Sequence, residues 1–240
     1  MKWVILWTGW DMTRLINIAI PKSGSGMLAQ AIGGEHANIG PGMYEDHPDL
    51  GTLEEMRFTE PFARSHQPYH SEYEQLYRER GDKVVFLHRD PRDVIVSHAM
   101  YVDKWAGHRS YFNFPIGEDE FLATAEDRIL ELIEKSLWLY DRYLGWMDAD
   151  FVLPLKYEEL VNSDGSKNPK GFQKFIDYLG KYAKDLKISS PKGMIKKIDP
   201  QSCNTYRKGI IGDWKNHFTE EHKELFWETC GNLMEKLGYI

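Results

Sequence analysis

Apolar residues fall along this chain in two patterns, short unbroken runs and long stripes at helical spacing. Residues 15–20 (Leu-Ile-Asn-Ile-Ala-Ile), 83–88 (Lys-Val-Val-Phe-Leu-His) and 151–155 (Phe-Val-Leu-Pro-Leu) are runs of strand length, apolar enough for burial on both faces. Residues 62–66 form a shorter run of the same kind. Between and after these runs the period changes. Leu122, Ala125, Ile129, Leu132, Ile133, Leu137, Tyr140 and Leu144 keep helical spacing, which predicts one long helix over 120–146. Further helices are expected over 71–80, ended by Gly81, over 169–181 and over 220–237. Asp90-Pro91 has the form of an N-cap followed by a first-turn proline, so a helix should open there and run to about Trp105. Gly33, Gly34, Gly40, Pro41, Gly42, Pro48 and Gly51 break up the segment after the first helix, which is expected to be loop with short helical pieces.

Strands separated by helical stripes read as βαβ units: an α/β fold in three layers, a central parallel sheet flanked by helices. No repeat or low-complexity tract divides the chain, and 240 residues suit one domain over 1–240. In such a sheet ligands bind beyond the carboxyl ends of the strands, and Lys22, Arg89 and Tyr157 all fall just past predicted strand ends.

The first strand feeds Pro21-Lys22-Ser23-Gly24-Ser25-Gly26, and a helix is expected from Met27 to Ile32. Pro21 stops the ladder, and the small residues let backbone N–H groups converge at a helix N-terminus, where the dipole adds about half a positive charge. Lys22 adds a full one, so the loop is suited to a phosphate or a sulfate. It is not a Walker A loop, because the lysine precedes the glycines and Met27 follows Gly26.

Composition limits the partners. With 30 basic and 37 acidic side chains the formal charge is −7, which argues against a general nucleic-acid binder. Two cysteines, Cys203 and Cys230, are too few for a disulfide framework, and reduced thiols in the cytoplasm are the expectation. The apolar run at 3–10 is too short to span a bilayer and no cleavage site follows it, so no membrane association is expected.

Four stretches together resemble the cytosolic-type sulfotransferase family, which uses 3′-phosphoadenosine 5′-phosphosulfate (PAPS) as sulfuryl donor. Residues 21–27 (Pro-Lys-Ser-Gly-Ser-Gly-Met) resemble the family's 5′-phosphosulfate loop, Pro-Lys-Ser-Gly-Thr-Thr-Trp. Residues 89–97 (Arg-Asp-Pro-Arg-Asp-Val-Ile-Val-Ser) resemble its 3′-phosphate segment, with arginine and serine eight apart. Residues 207–219 (Arg-Lys-Gly-Ile-Ile-Gly-Asp-Trp-Lys-Asn-His-Phe-Thr) are similar to its C-terminal signature, and 64–68 (Arg-Ser-His-Gln-Pro) to its Lys-Thr-His-Leu-Pro element. The order along the chain agrees, over residues 16–225.

The resemblance implies a P-loop-like fold and a role for each matching residue. Lys22, Ser23, Gly24, Ser25 and Gly26 would hold the 5′-phosphosulfate end of PAPS; Arg89, Ser97, Arg207, Lys208 and Gly209 would hold the 3′-phosphate. Arginine's fork matches phosphate oxygens, although an ordinary ion pair is the alternative for Arg89. Tyr157 and Ser189 match positions near the adenine. Met27 and Pro191 stand where the family has aromatic residues, which leaves base recognition altered. His66 matches the family's base, and histidine titrates near enough to neutrality for that task. Arg64 stands for the lysine near the transferring group. His66 and His70 are four apart, but Pro68 between them disfavours a metal pair, and the chemistry expected here needs no metal.

Two other readings share this fold class or site. A P-loop nucleotide kinase requires Lys-Ser/Thr after the glycines and a carboxylate for Mg²⁺, and a non-catalytic nucleotide-binding module requires no base. The acceptor is expected to be a small phenol or alcohol. Acidic residues in 44–60 and aromatic ones in 101–114 also suit a cationic acceptor, for O- or N-sulfation. Lys215, Thr219 and Glu224 match a stretch through which relatives dimerise, but Glu220 replaces a valine there, so a monomer, or at most a weak dimer, is expected.

Overall fold

A computed structural model describes residues 14–33, 37–39, 62–101, 124–188, 190–203 and 206–240. Its centre is β1 (Leu15–Ala19), paired in parallel with β3 (Phe62–Ser65) on one side and β4 (Lys83–His88) on the other. The short β2 (Ala37–Ile39) extends the sheet beyond β3, and β5 (Val152–Lys156) extends it beyond β4. The order is β2-β3-β1-β4-β5, all parallel.

Alternation along the central strands builds two cores. Ile16, Ile18, Val84 and Phe86 face one, closed by α3 (Pro91–Ala99), α4 (Ala125–Asp141) and α10 (Glu220–Lys236). Leu15, Ala19, Val85 and Leu87 face the other, closed by α1 (Ser25–Ile32), α7 (Pro169–Leu179) and Met194 of α9 (Pro191–Lys196). Both faces are dry, as their uninterrupted apolar runs require. The remaining helices are α2 (Ser71–Arg80), α5 (Gly145–Asp148), α6 (Tyr157–Leu160) and α8 (Tyr182–Asp185). Among the described residues no helix is long and apolar enough to cross a membrane.

Several boundaries differ from the sequence reading, each with a physical reason in the contacts made there. The helix opened by Asp90 and Pro91 stops at Ala99 rather than near Trp105. There the buried Arg128 of α4 donates from Nε to the Ala99 carbonyl at 2.9 Å, and the Tyr101 N–H turns back to His98 at 2.8 Å. The helix expected over 120–146 starts at Ala125, on a Thr124 cap, and divides into α4 and α5. At the division a Cβ on Gly145 would lie 2.2 Å from the Tyr69 ring, so the turn brings bare backbone against another segment. Strand β2 lies in a stretch whose sequence reads as loop, because glycines at 33, 34 and 40 flank it and it is only three residues long. His70 is the N-cap of α2, accepting from the Glu72 N–H at 3.3 Å, and its ring is committed to that helix end.

Candidate active site

The loop between β1 and α1 is tightly wound. Lys22 has φ 69° and Gly24 φ 95°, both left-handed, and the Ser23 N–H turns back to the Ile20 carbonyl at 3.1 Å. Gly24 caps α1 with no side-chain bond to the helix N–H groups. A Cβ on Gly24 would also lie 2.7 Å from the Tyr157 ring, so glycine is required there twice over. The Ser23 hydroxyl is fully buried and has no protein partner among the described residues. Buried polar atoms left open in this way have the character of a binding site. Lys22 extends over the ring of Tyr101, with Nζ 3.5 Å from its centroid. That contact holds the ammonium beside the end of α3.

His66 lies just beyond β3. Its Nδ1 is 2.7 Å from the carbonyl oxygen of Ala19, the last residue of β1. A carbonyl only accepts, so Nδ1 carries the proton and the neutral ring's lone pair is on Nε2. The guanidinium of Arg64 is close to the start of α1, 3.9 Å from where a Cβ on Gly26 would be, and the Cys203 thiol is 3.1 Å from the same point. His66, the lysine loop and Arg64 therefore share one edge of the sheet.

A second cluster forms past β4. Arg89 is 6% exposed; it donates from one terminal nitrogen to the Ile210 carbonyl at 2.7 Å and approaches Asp93 at 3.4 Å. The ion-pair alternative for Arg89 is thus present, yet its Nε has no protein partner among the described residues. Its guanidinium also stacks on Tyr157, 4.6 Å from the ring centroid. Tyr157 in turn donates to the Gly209 carbonyl at 3.0 Å. Burial, against the opposing pull of Arg89, pushes its phenol up to about 12, so it stays a donor at neutral pH. Tyr157 links the lysine loop, Arg89 and the segment around Gly209.

That segment, residues 206–216, is held by two carboxylates that sequence reasoning passed over. Asp93 of α3 accepts from the N–H groups of Gly212 (2.7 Å) and Trp214 (3.0 Å). Asp213 accepts from Arg207 (2.5 Å), Lys208 (3.0 Å) and the Asn216 amide (3.1 Å). Burial alone would raise the Asp213 carboxyl. The hydrogen bonds from Asn216, Arg207 and Lys208, with the Arg207 charge, more than offset it and hold Asp213 well below the usual carboxylate range. Both aspartates sit inside strings read for their arginines and lysines. The only signal for them was that a basic cluster on a chain of charge −7 needs fixed counter-charges.

Ser97 lies one turn beyond Asp93 on the same face of α3 and is 7% exposed. Ser25 begins α1, and Met27, half-buried, packs against the core beneath it. Pro191 opens α9 behind a Ser190 cap, and Met194 is buried in that core. Ser189 lies outside the described residues, as do the acidic segment 44–60 and the aromatic positions 105–114.

The fold alone defines a three-layer α/β protein with basic and polar groups gathered at the carboxyl edge of a parallel sheet. A family model described as a sulfotransferase domain matches residues 42–238, and the chain belongs to that family. It is 28% identical over 180 residues to Sulfotransferase 2A1 of Homo sapiens, covering 65% of this chain and 59% of that one. To the 3-alpha-hydroxysteroid sulfotransferase of Cavia porcellus it is 25% identical over 242 residues, covering 88% and 80%. To the flavonol sulfotransferase-like protein of Flaveria bidentis it is 28% identical over 207 residues, covering 75% and 63%. Thus the match spans about three fifths of the human relative's length. A crystal structure of mouse sulfotransferase SULT7A1 complexed with PAP has the same fold, with a TM-score of 0.62, 21% identity, and coverage of 95% of this chain and 88% of that one.

Proposed function

We propose that this protein transfers a sulfuryl group from PAPS to a hydroxyl or amine of a small molecule, with His66 as general base. The observation that carries this reading is the bond from His66 Nδ1 to the Ala19 carbonyl. It holds His66 at the end of the strand whose next turn presents Lys22, with the lone pair on Nε2, which supports the reading. The acceptor gives its proton to Nε2 while its oxygen or nitrogen forms a bond to sulfur. The bond from sulfur to the 5′-phosphate oxygen breaks, and Lys22, Arg64 and the N–H groups at the start of α1 offset the charge left there. Ser23, Gly24, Ser25 and Gly26 line this end, and Met27 packs toward the adenine.

Arg89, Ser97, Arg207, Lys208 and the Gly209 backbone take the 3′-phosphate. The fit is supported by Nε atoms of Arg89 and Arg207 that find no protein partner among the described residues, which leaves donors for an anion. Tyr157 borders the adenine; Ser189, outside the described residues, is assigned there by the family resemblance alone. The two reduced thiols agree with a cytoplasmic protein. The acceptor is a neutral phenol or alcohol by default, with a cationic compound as the alternative, and the protein acts as a monomer.

The test is turnover of PAPS, followed as adenosine 3′,5′-bisphosphate released, with neutral phenols, cationic alcohols and guanidinium compounds at low and high salt. Acceptor-dependent release from at least one class is expected. Strong turnover of neutral phenols with cationic compounds inert at every salt concentration removes the cationic alternative, and no transfer to any class counts against the activity itself.

A further inference from the structure

The turn between α4 and α5 directs its polar groups at the segment that carries His66. The Tyr143 hydroxyl donates to the His66 carbonyl at 2.5 Å. The Trp146 indole N–H donates to the Gln67 carbonyl at 3.2 Å, and the Arg142 carbonyl accepts from the Tyr69 N–H at 2.7 Å. Gly145 completes the fit, since any side chain there would meet the Tyr69 ring. Four residues in a row of five thus grip residues 66–69, far away in the sequence. The gripped segment needs it: His66 lies past the last rung of the β1–β3 ladder, Ile18 opposite Ser65, so the sheet does not fix its backbone.

Both side-chain donors are fully buried. The Tyr143 ring lies nearly parallel to Phe86, with centroids 6.3 Å apart and planes at 12°, so its hydroxyl has a fixed aim. Tyr143 therefore anchors the His66 carbonyl, while Ala19 holds the ring.

We infer that Tyr143 is a positioning residue for the base, an inference that rests on His66 being that base. With the carbonyl anchored, the imidazole reaches the Ala19 oxygen in one orientation and one neutral tautomer is populated. Without the hydroxyl, the His66 carbonyl turns toward another donor, the Nδ1 bond to Ala19 loosens, and the second tautomer, with its proton on Nε2, becomes populated. That tautomer has no lone pair on the nitrogen assigned to the acceptor's proton.

Tyr143→Phe keeps the ring and removes only the donor. In the full chain, ¹⁵N resonances of the His66 ring, assigned by their loss in His66→Ala, distinguish a protonated from an unprotonated nitrogen. Wild type should show the Nδ1–H tautomer alone; Tyr143→Phe should show a mixture. Its kcat should fall about tenfold, with the KM for PAPS and the affinity for adenosine 3′,5′-bisphosphate unchanged. A merely structural contact would alter stability and leave the tautomer in place. A single tautomer with wild-type kcat in Tyr143→Phe overturns the inference, whereas full activity in His66→Ala overturns the assignment of the base instead.

Discussion

His66 owes its protonation pattern to one carbonyl, and that bond makes the residue testable in isolation. Replacing His66 with alanine should lower kcat by about 10²–10⁴ and leave adenosine 3′,5′-bisphosphate binding near the wild-type value, measured by single-turnover kinetics and calorimetry. Its neighbour Gln67 offers a test of stability. The Gln67 amide is fully buried; its oxygen accepts from Tyr77 at 2.6 Å, and its nitrogen has no protein partner among the described residues. Exchanging both partners for apolar groups removes an unpaired donor without creating another. The double variant Gln67→Leu/Tyr77→Phe should be more stable than wild type by roughly 1 kcal/mol in urea unfolding. A loss of stability would mean that the amide nitrogen is satisfied. At this scale the sequence was legible where a residue sits in a short local motif, as His66 does between Ser65 and Pro68. It was not legible where the partner is remote: nothing in Arg-Tyr-Leu-Gly-Trp at 142–146 points to a histidine 77 positions earlier in the chain.

Helix α3 and the segment at 206–216 behave as one unit, because Asp93 carries two backbone N–H groups of that segment along with the buried Arg89. Asp93 touches no phosphate in the proposed complex, yet its loss should be felt there. Asp93→Ala strips two charge-assisted bonds and removes the carboxylate 3.4 Å from Arg89, each such bond being worth about 1.5–3 kcal/mol. Adenosine 3′,5′-bisphosphate should bind at least about tenfold more weakly. Adenosine 5′-phosphate, which lacks the 3′ group, should lose much less. Equal loss for the two nucleotides would mean that this segment does not serve the 3′-phosphate. Gly24→Ala should destabilise the chain by at least about 1 kcal/mol in the same unfolding assay, since a side chain there meets both a left-handed backbone and the Tyr157 ring. The buried strands and most helices could be read from the sequence because periodicity is local. The split of the long helix before Gly145 could not, because the Tyr69 ring that packs against that glycine comes from a remote segment.

Across the whole molecule, acid sensitivity should centre on the carboxyl edge of β4. His88 is 1% exposed and lies between Phe86 and Tyr239; its Nδ1 is 3.4 Å from the Tyr239 hydroxyl, which donates to Glu158. Burial, with Lys156 and Lys174 nearby, pushes His88 down to about 3, below its value in the unfolded chain. Its contribution to stability is therefore complete above the ordinary histidine range and is lost as pH falls toward 3, at up to about 1.4 kcal/mol per pH unit. Urea unfolding at pH 7.5 and pH 5 should show a smaller acid penalty for His88→Gln than for wild type, and an identical penalty in both would place the sensitivity elsewhere. The architecture was legible in the sequence as a parallel α/β sheet. The bridge that Tyr157 makes between Gly24, Arg89 and Gly209 was not, since it joins four separate stretches. In the proposed function that bridge joins one donor site with two anion subsites, and calorimetric titration tests this reading most directly. Adenosine 3′,5′-bisphosphate should bind one-to-one without added metal, and Arg89→Ala should weaken it by about 2–5 kcal/mol. ATP with Mg²⁺ should bind far more weakly. Preference for ATP with Mg²⁺, or an Arg89→Ala variant that binds adenosine 3′,5′-bisphosphate as tightly as wild type, would contradict the account.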